Sequence, residues 1–472
     1  MALAATKVFI GPRLRALRLA RNLSQTDFAR QLGVSASLIN LLERNQRSAS
    51  LAMLMKLSDA CQVDIAELTK ANTPITVDQL RKVLKDPAVG QLDVGIDELR
   101  SAVDLAPNLV EGLANLFSNY QTLAQRLAES MSDNVGSQPS DQASEQRVHE
   151  FIHSRGNYFG DLEDAALTLR TKLQLDNHFA LSILKAHLLE TQGIVVKIVP
   201  DEEIFPSMRI FRNETRELLL SDTLDHINKI FQIAHFVGLT EFGRDIHRQL
   251  RGVAFEGHQD KTRAQMRLCD YFAAALLMPY SEFLNAAEKW QYDFERLASY
   301  FGVTFEQVCQ RVTTLHRPGE KGVPFFFLRI DKAGNVSKRF NSTSVQLARY
   351  GGTCPKLNVH YSFRVPGRIL TQQVEMPNGD RFLTINRTVE RPSGQFNHDD
   401  RRQAVCVGCD MRFGEQLVYG ISSGLQTNHQ PTEIGINCRL CPRPACDQRA
   451  HESAVQELPV DADRRGQNRF DN

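Results

Sequence analysis

The sequence predicts a multidomain α+β protein: an N-terminal all-α helix-turn-helix, a mainly helical middle domain with a small sheet, and a C-terminal α+β domain that holds a cysteine cluster. Three observations lead to this fold class. Helix caps and turns follow one another within the first 45 residues, strand-like runs replace helical spacing after about residue 324, and five of the nine cysteines lie in the last seventy residues. A chain of 472 residues with 42% hydrophobic side chains can build roughly three domains.

Shifts in composition and periodicity set the expected domain boundaries. A polar, Ser-, Asp- and Gln-rich stretch without apolar periodicity separates the N-terminal part from the rest, and we interpret it as a linker. The predicted segments are a helix-turn-helix domain over 1–72, a helical connector with a candidate dimer contact over 73–129, the linker over 130–146, a middle domain over 147–317, a C-terminal sensor domain over 318–456 and a disordered tail over 457–472.

The N-terminal segment contains the start and stop signals of consecutive short helices. Ser24, with Asp27 three residues later, is a capping-box-like start for one helix, and Gly33 ends it. Ser35 caps the next helix, which is the candidate recognition helix. Apolar residues at helical spacing predict the core of this segment: Phe28, Ala29, Leu32, Leu38, Ile39 and Leu42.

Side chains on the outer face of this candidate recognition helix, the third helix of the N-terminal segment, are suited to reading DNA. Asn40 can pair bidentately with an adenine edge, Ser37 and Gln25 can reach bases or phosphates, and Arg47 can neutralise a phosphate. Glu43 would be repelled by DNA, so we expect it to pair with Arg15 or Arg18. The predicted DNA-binding residues are Gln25, Ser35, Ala36, Ser37, Asn40, Arg44 and Arg47.

The charge of the chain supports a local nucleic-acid contact. Residues 1–70 contain ten Lys or Arg and five Asp or Glu, whereas the whole chain has a formal net charge of +1. No run approaches the ~20 apolar residues of a membrane span, and the first residues lack the features of a secretory signal. We therefore expect a cytoplasmic protein without a membrane partner, in which cysteines stay reduced.

The N-terminal pattern resembles the phage-repressor (XRE/Cro) family of DNA-binding domains over about residues 8–70. The resemblance rests on Leu23-Ser24-Gln25, Phe28-Ala29, Leu32-Gly33-Val34-Ser35, Leu38-Ile39 and Glu43-Arg44-Asn45. It implies that the third helix enters the major groove of a double-stranded operator. Because such readers bind two half-sites about one DNA turn apart, it also implies a homodimer.

The middle domain resembles the ImmA/IrrE family of zinc peptidases without their metal site. The segments that carry the resemblance are 231–239 and 271–279. In the H-E-x-x-H motif two histidines bind zinc and the glutamate activates water, but here Phe236 and Leu239 follow His235 at the glutamate and second histidine positions. Residues 261–269 offer no carboxylate as a third ligand. We therefore predict no enzyme activity and an old scaffold kept for binding.

Strand signals flank and follow this helical region. A strand is expected over Ile194–Val199, with a hairpin through residues 212–215. The runs PFFFLRI, VHYSFRV and RFLTINR, with turn signals at residues 333–335 and 377–379, predict a sheet in the last domain.

The C-terminal cysteines have the spacing of a metal site. Cys406 and Cys409 form one C-x-x-C pair, and Cys438 and Cys441 form another that Cys446 follows. Spacing alone makes zinc the default, with an iron-sulfur cluster as the main rival and unligated thiols as the simplest alternative. The other cysteines are scattered and are interpreted as buried or incidental thiols.

The order of domains and the segment 434–450 resemble the short-chain fatty acyl regulator branch of the XRE family. This resemblance implies a transcription factor of acyl-CoA, propionate or glyoxylate metabolism that is controlled by an acyl-CoA-type effector. It also favours an iron-sulfur cluster over zinc. The predicted ligands are Cys409, Cys438, Cys441 and Cys446, with Cys406 as the substitute for Cys409.

We therefore predict a dimeric, sequence-specific DNA-binding regulator whose affinity for its operator changes when a small metabolite binds. One alternative is a redox or metal sensor that uses the cysteine site and has no organic ligand. Another is a zinc peptidase that cuts a repressor, which the loss of H-E-x-x-H disfavours.

Overall fold

A computed structural model gives the structure of the chain. It describes residues 23–43, 77–86, 92–130, 139–253, 257–343, 352–391, 401–422 and 430–455, together with single positions between these ranges. The predicted disordered tail over 457–472 lies outside the described residues. The chain divides into two compact units, residues 1–124 and 125–472. Among the described helices, none is long and apolar enough to cross a membrane.

The first unit is helical, as predicted. Its helices are α1 (Gln25–Leu32), α2 (Ala36–Glu43), α3 (Val77–Lys85), α4 (Ile96–Leu105) and α5 (Pro107–Ser130), the last of which extends into the second unit. The Ser24 hydroxyl accepts a hydrogen bond from the Asp27 amide at 3.1 Å, and Gly33 ends α1 in the left-handed region at φ 60°. These local signals are the predicted ones, because a cap and a glycine turn act within a few residues.

Proline 107 separates two helices rather than kinking one. Proline has no backbone N–H, so inside a continuous helix Pro107 would leave one hydrogen bond unmade. At the start of α5 no such bond is needed, because the first amides of a helix have no partner within it. Leu99 and Val103 of α4 pack with Val110 of α5 and Leu80 of α3 in a small apolar cluster. The helical connector predicted over 73–129 therefore contains two helices that meet at Pro107.

The second unit begins with helices that enclose a three-stranded sheet. In chain order the elements are α6 (Pro139–Ser154), α7 (Gly160–Leu173), α8 (Ala180–Gln192), β1 (Val195–Val199), β2 (Arg209–Arg212), β3 (Glu217–Ser221), α9 (His226–Glu241), α10 (Gly243–Gln249), α11 (His258–Leu277), α12 (Tyr280–Lys289), α13 (Phe294–Phe301) and α14 (Phe305–Val312). Strand β3 lies in the middle, parallel to β1 and antiparallel to β2. The predicted first strand and hairpin are both confirmed.

The predicted linker over 130–146 is wrong in its second half, where α6 begins at Pro139. Ser144 and Gln146 are buried although both are polar. Glu145 pairs with Arg267 at 2.8 Å, and Gln146 accepts a hydrogen bond from Arg339 at 2.6 Å. Because these partners lie more than a hundred residues away in sequence, apolar periodicity could not reveal the helix. Residues 131–138 lie outside the described part.

The C-terminal part forms a six-stranded sheet after a short hairpin. Its strands are β4 (His316–Arg317) and β5 (Glu320–Lys321) in the hairpin, then β6 (Phe325–Ile330), β7 (Val336–Asn341), β8 (Leu370–Glu375), β9 (Arg381–Arg391), β10 (Arg401–Asp410) and β11 (Thr432–Glu433) in the sheet. The sheet order is β11-β8-β9-β10-β6-β7. Two predicted strand runs, at β6 and β9, are confirmed, and Gly334 and Gly379 turn at positive φ as the turn signals predicted.

The third predicted strand run, VHYSFRV, is wrong. Asn358–Tyr361 forms a short helix, α15, and Ser362–Arg364 continues as a 3-10 turn. Val359 is fully buried and Phe363 packs in the same cluster, so the two residues four positions apart face one core. Tertiary packing therefore selects the helix over the alternation of apolar residues. A final short helix, α16, spans Val418–Ser422.

A buried ion pair joins three helices of the second unit. Arg311 of α14 donates two hydrogen bonds to the Glu163 carboxylate of α7, at 2.6 and 2.8 Å, and its Nε donates to the Met278 carbonyl at 3.1 Å. Tyr271 of α11 donates to the same carboxylate at 2.5 Å. Burial alone would lower the pKa of Arg311, but the neighbouring Glu163 raises it, so the guanidinium stays charged. The pair therefore ties α7, α11 and α14 together.

Replacing Glu163 by Gln should destabilise the chain strongly, because Arg311 would keep its charge in the interior without a counter-ion. We expect a loss of about 3 to 5 kcal/mol in the free energy of unfolding of the second unit, measured by urea denaturation. The matched control is Glu295→Gln, since Glu295 pairs with Arg387 at 3.0 Å but is 57% exposed. The control should lose less than ~1 kcal/mol. Equal losses in the two variants would contradict this role of the pair.

Candidate functional site

Helices α1 and α2 form the predicted helix-turn-helix. Ser35, Ala36 and Ser37 lie at the start of α2, and the two serines are exposed there. The Ser35 hydroxyl also accepts a hydrogen bond from the Leu38 amide at 3.2 Å, so it caps the helix as predicted. Arg47 is exposed beyond α2, whereas Arg44 lies outside the described residues.

A chain of hydrogen bonds orients the amide side chains of this face. Arg18 donates to the Glu43 carboxylate at 2.6 and 3.2 Å, which confirms the predicted pairing of Glu43 with one of two arginines. Gln25 donates to the same carboxylate at 2.6 Å and accepts from Asn40 at 3.3 Å. The network neutralises Glu43 and holds Gln25 and Asn40 side by side, where both could reach a base edge.

The side chains at the altered H-E-x-x-H motif have a different set of contacts from a zinc site. His235 of α9 is 7% exposed, and its Nδ1 lies 3.0 Å from the Arg209 guanidinium of β2. Its Nε2 lies 3.8 Å from the Asp270 carboxylate. The pKa of His235 is lowered to about 4, mainly by burial; Asp270 opposes this shift and Arg209 adds to it. His235 is therefore neutral near pH 7 and uses one nitrogen to bind Arg209.

These residues do not fit a catalytic zinc ion. Phe236 and Leu239 bring apolar side chains to the two remaining motif positions, and Arg209 places a positive charge against His235. Asp270 is the residue just beyond the stretch in which a carboxylate ligand was expected, and it is the one carboxylate recorded next to His235 in the described part of the chain. No group of three His, Cys, Asp or Glu side chains in that part is arranged for one metal ion.

Four cysteines line one narrow pocket at the end of the C-terminal sheet. Three of them, Cys438, Cys441 and Cys446, belong to the predicted set, and the fourth is Cys354. Cys354 had been interpreted as incidental because no other cysteine lies near it in sequence. One signal could have identified it: Cys354 directly precedes a proline, as Cys441 does.

Cys409 lies elsewhere, so its prediction as the fourth thiol is corrected to Cys354. Cys409 sits on β10, where Phe325 of β6 and Leu383 of β9 are its neighbours in the register, and it is fully buried in the large apolar core. Cys406, the predicted substitute, is buried on the same strand in the second apolar cluster of the sheet. Burial raises the pKa of both thiols to about 12, as expected for inert core cysteines.

The surroundings of the four thiols suit an anionic sulfur-bound group. Arg449 is buried, and its Nε has no hydrogen-bond partner among the described residues. Burial raises the pKa of Cys441, whereas Arg449 and Arg443 lower it. Gly435 allows the close approach of this loop, because a Cβ there would lie 2.7 Å from the Cys441 sulfur. Four thiols, two arginines and one orphaned donor therefore fit a cysteine-ligated metal group.

A cleft of about 420 Å³ opens between α6, α11 and β7. Four cationic side chains line it, Arg263 and Arg267 from α11 and Lys338 and Arg339 from β7, against one carboxylate, Glu145. Lys338 donates to the Gln310 side chain at 2.8 Å, and burial lowers its pKa to about 8. The sequence analysis missed this site because its residues come from elements far apart in the chain.

A smaller pocket of about 50 Å³ continues from the cleft toward Asp270, the neighbour of His235. The two cavities share Ile152, Asn157, Arg267, Lys338 and Phe340 in their linings. The inner pocket adds largely apolar walls together with the ion-paired Arg311. Other residues that line it are Phe159, Phe231, Leu268, Asp270, Tyr271, Ala274, Gln307, Gln310, Thr313 and Thr314. The pair of cavities can therefore take an elongated ligand with an anionic end and a small apolar end.

Comparison with protein families assigns the three regions of the chain. Residues 14–68 match the helix-turn-helix family, residues 189–313 match the IrrE N-terminal-like domain, and residues 314–470 match the C-terminal domain of the short-chain fatty acyl coenzyme A regulators. The first two matches agree with the helix-turn-helix and the peptidase-like helices described above.

Similar proteins cover nearly the whole chain. The "Propionyl-CoA carboxylase regulator" of Cereibacter sphaeroides is 34% identical, with 98% of each chain covered. Two regulators of Mycobacterium tuberculosis, RamB and PrpR, are 32% and 30% identical, over 97% of this chain and 98% and 94% of theirs. A solved structure of a "Mycobacterium tuberculosis transcriptional regulator" has a TM-score of 0.65 at 32% identity and covers 69% of this chain and 98% of that one.

These relatives are transcriptional regulators, and this chain has their helix-turn-helix with its α1 and α2 in place. The match extends through all three regions rather than being limited to the DNA-binding domain. The chain is a DNA-binding transcriptional regulator and belongs to the XRE-type regulators that combine an IrrE-like domain with a short-chain fatty acyl coenzyme A regulator domain.

Proposed function

We propose that this regulator works in the cytoplasm as a homodimer on a two-fold operator, and that a short acyl-CoA is its effector. The observation that carries this proposal is the cationic cleft with its apolar inner pocket. One relative's name refers to propionyl-CoA carboxylase, which supports an effector from the same chemical class.

The cleft matches the charge of a CoA thioester. CoA carries several phosphate charges at one end and a neutral pantetheine arm at the other. Four cations against one carboxylate would hold the phosphates, and in the free protein Lys338 and Arg339 each contact a neutral amide, Gln310 and Gln146. An incoming phosphate therefore replaces a neutral amide oxygen by an anionic acceptor, which adds charge–charge attraction to each hydrogen bond.

The inner pocket favours a short acyl chain. Its volume of about 50 Å³ leaves room for only a few heavy atoms, and Phe159, Phe231 and Ala274 make its walls apolar. Arg311, which is paired with Glu163, lines the pocket, so a long chain would have to displace wall residues of this kind. A propionyl-sized group fits these dimensions better than a fatty acyl chain.

The effector would act by shifting the population of arrangements of α6. Glu145 and Gln146 of α6 accept hydrogen bonds from Arg267 of α11 and Arg339 of β7. The phosphates of the effector would bind the same two arginines. Competition for these arginines changes how α6 is held, and α6 follows α5 and the DNA-binding unit along the chain. A ligand that prefers one arrangement therefore changes the affinity for the operator.

We propose in addition that Cys354, Cys438, Cys441 and Cys446 hold an iron-sulfur cluster, with zinc as the alternative. In the described residues the thiols are not arranged for a single ion, whereas a multi-iron cluster spans a wider ring of sulfurs. The chain itself would supply thiolate ligands, and Arg443 and Arg449 would offset their charge. The alternative function, a redox or metal sensor without an organic ligand, rests on this site alone.

We further propose that the IrrE-like domain has no peptidase activity. Arg209 binds His235, and Phe236 stands at the position of the water-activating glutamate. A zinc peptidase would therefore require metal ligands that these side chains do not provide.

Asn40 should read a base, and Arg47 should contact a phosphate. Operators are first selected from genomic DNA with the purified protein, and affinities are then measured by fluorescence anisotropy. Asn40→Ala should lower the preference for the selected site over random DNA by about 1 to 3 kcal/mol. Arg47→Ala should weaken binding to both DNAs alike and reduce the salt slope by about 1. An unchanged preference in Asn40→Ala would remove Asn40 from the reading set.

Lys338 should make acyl-CoA binding depend on pH. Its ammonium is mostly charged at pH 7 but loses its proton as pH rises through about 8, so affinity for the anionic ligand should fall between pH 7 and 9. Calorimetric titration with propionyl-CoA should show this fall in the wild type. Lys338→Met should bind roughly tenfold more weakly at pH 7, with a flatter pH profile.

The matched control for this experiment is Lys332→Met, because Lys332 is exposed at the turn before β7 and does not line the cleft. It should bind propionyl-CoA as the wild type does. If both variants bind like the wild type at every pH, the ligand does not occupy this cleft. If the wild type binds no acyl-CoA, the sensor without an organic ligand is favoured.

Cys354 and Cys409 should differ sharply as cluster ligands. Protein purified without oxygen is analysed for iron, acid-labile sulfide and zinc, and for visible absorbance. Cys354→Ser should lose most of the bound metal, whereas Cys409→Ser should retain it, because Cys409 lies in the apolar core. Loss of metal in Cys409→Ser alone would contradict the corrected ligand set, and zinc without sulfide would select the alternative metal.

A further inference from the structure

We infer that the two copies of the regulator pair through one face of α5, which we call the α5 seam. The seam consists of Leu109, Leu113, Leu116, Tyr120 and Leu123. Their spacing of four, three, four and three residues is the heptad repeat of a coiled coil, and it brings all five to one stripe of the helix. This inference rests on the proposed homodimer and assigns its interface.

Exposure in the single chain shows that the seam lacks a partner within the described residues. Leu109 is 76% exposed, Leu116 is 67% exposed and Leu123 is 57% exposed, while Tyr120 is 46% exposed. Only Leu113 packs in part against the small cluster of α3, α4 and α5. Exposed leucines that recur every seven residues along a 24-residue helix are not scattered surface residues, and such a continuous patch marks an interaction site.

The charge of α5 favours a second copy of the chain over a charged partner. The helix has three charged residues in 24, namely Glu111, Arg126 and Glu129, and none of them occupies a seam position. Two identical seams can therefore meet without like charges facing each other. A partner of strong opposite charge would find nothing to pair with along this stripe.

The size of the seam suits a moderate dimer that the operator reinforces. A helix of 24 residues is about 36 Å long. The four most exposed side chains of two copies bury on the order of 600 Å². This area is about half of a small specific interface of ~1,200 Å², and the flanking surface of the helix pair adds to it. Since the reader lies in the same compact unit, the seam joins two readers directly.

The test compares seam variants with a matched variant on the same helix. Leu109→Glu and Leu116→Glu each place a carboxylate on the seam, and Asn115→Glu places the same charge one position away from it on an exposed residue. In sedimentation equilibrium of the full chain, the seam variants should raise the dimer dissociation constant about 100-fold or more, because identical charges would face each other. Asn115→Glu should dimerise like the wild type.

Circular dichroism and thermal melting check that each variant is folded, and Leu109→Glu is the safer variant because its side chain is mostly in water already. On DNA, the seam variants should lose affinity for the two-fold operator at least tenfold but keep that for a half-site. Seam variants that dimerise like the wild type, or a wild type that stays monomeric, would overturn the inference. A wild type that dimerises through the seam but selects no operator would instead contradict the proposed regulation.

Discussion

The ion pair between Arg311 and Glu163 is the interaction on which the packing of the middle domain depends. It joins α7, α11 and α14 where no water can screen either charge, and Tyr271 completes the hydrogen bonds of the carboxylate. A buried pair of this kind contributes less to stability than apolar packing would, but it allows few other arrangements of the three helices. The geometry it fixes also reaches the proposed effector cleft, because Tyr271 and Arg311 line the inner pocket.

The inner pocket lies beside the altered H-E-x-x-H motif, because Asp270 lines the pocket and its carboxylate is 3.8 Å from His235. Helices α9 and α11 pack closely, with Phe272 against Gly238, where a Cβ would lie 2.9 Å from the ring. Arg209 donates a hydrogen bond to Nδ1 of His235, so a guanidinium contacts this histidine where the H-E-x-x-H motif would bind a metal cation. The pocket beside Asp270 stays open, and the cations of α11 and β7 surround its entrance.

Sequence reasoning succeeded where the deciding contacts are local. The caps at Ser24 and Ser35 and the turn at Gly33 act within one helical turn, and each is found in the structure. It failed where distant partners decide. The first half of helix α6 looked like a linker because Glu145 and Gln146 hold it through polar contacts with distant arginines, not through apolar periodicity. Asn358–Tyr361 looked like a strand until the packing of its core was known.

The cysteine site lies between these cases. The motif around Cys438 and Cys441 marked a loop whose thiols line one pocket, but the C-x-x-C spacing at Cys409 suggested a ligand that the strand β10 directs into the core. Cys354 lines the same pocket because the fold brings its loop beside β11. The spacing of cysteines along the sequence cannot predict this proximity. Spacing therefore identifies the class of site, whereas the sheet decides which thiols meet.

In the proposed regulation, the effector cleft and the DNA-binding domain are two coupled sites of one regulator. The most direct measurement is the dissociation constant of the full chain for its selected operator, at fixed salt, with and without saturating propionyl-CoA. Coupled sites predict a change of about 5- to 150-fold in either direction, with the same factor in acyl-CoA affinity when operator is added. Equal operator affinities in the presence and absence of a bound acyl-CoA would contradict the account.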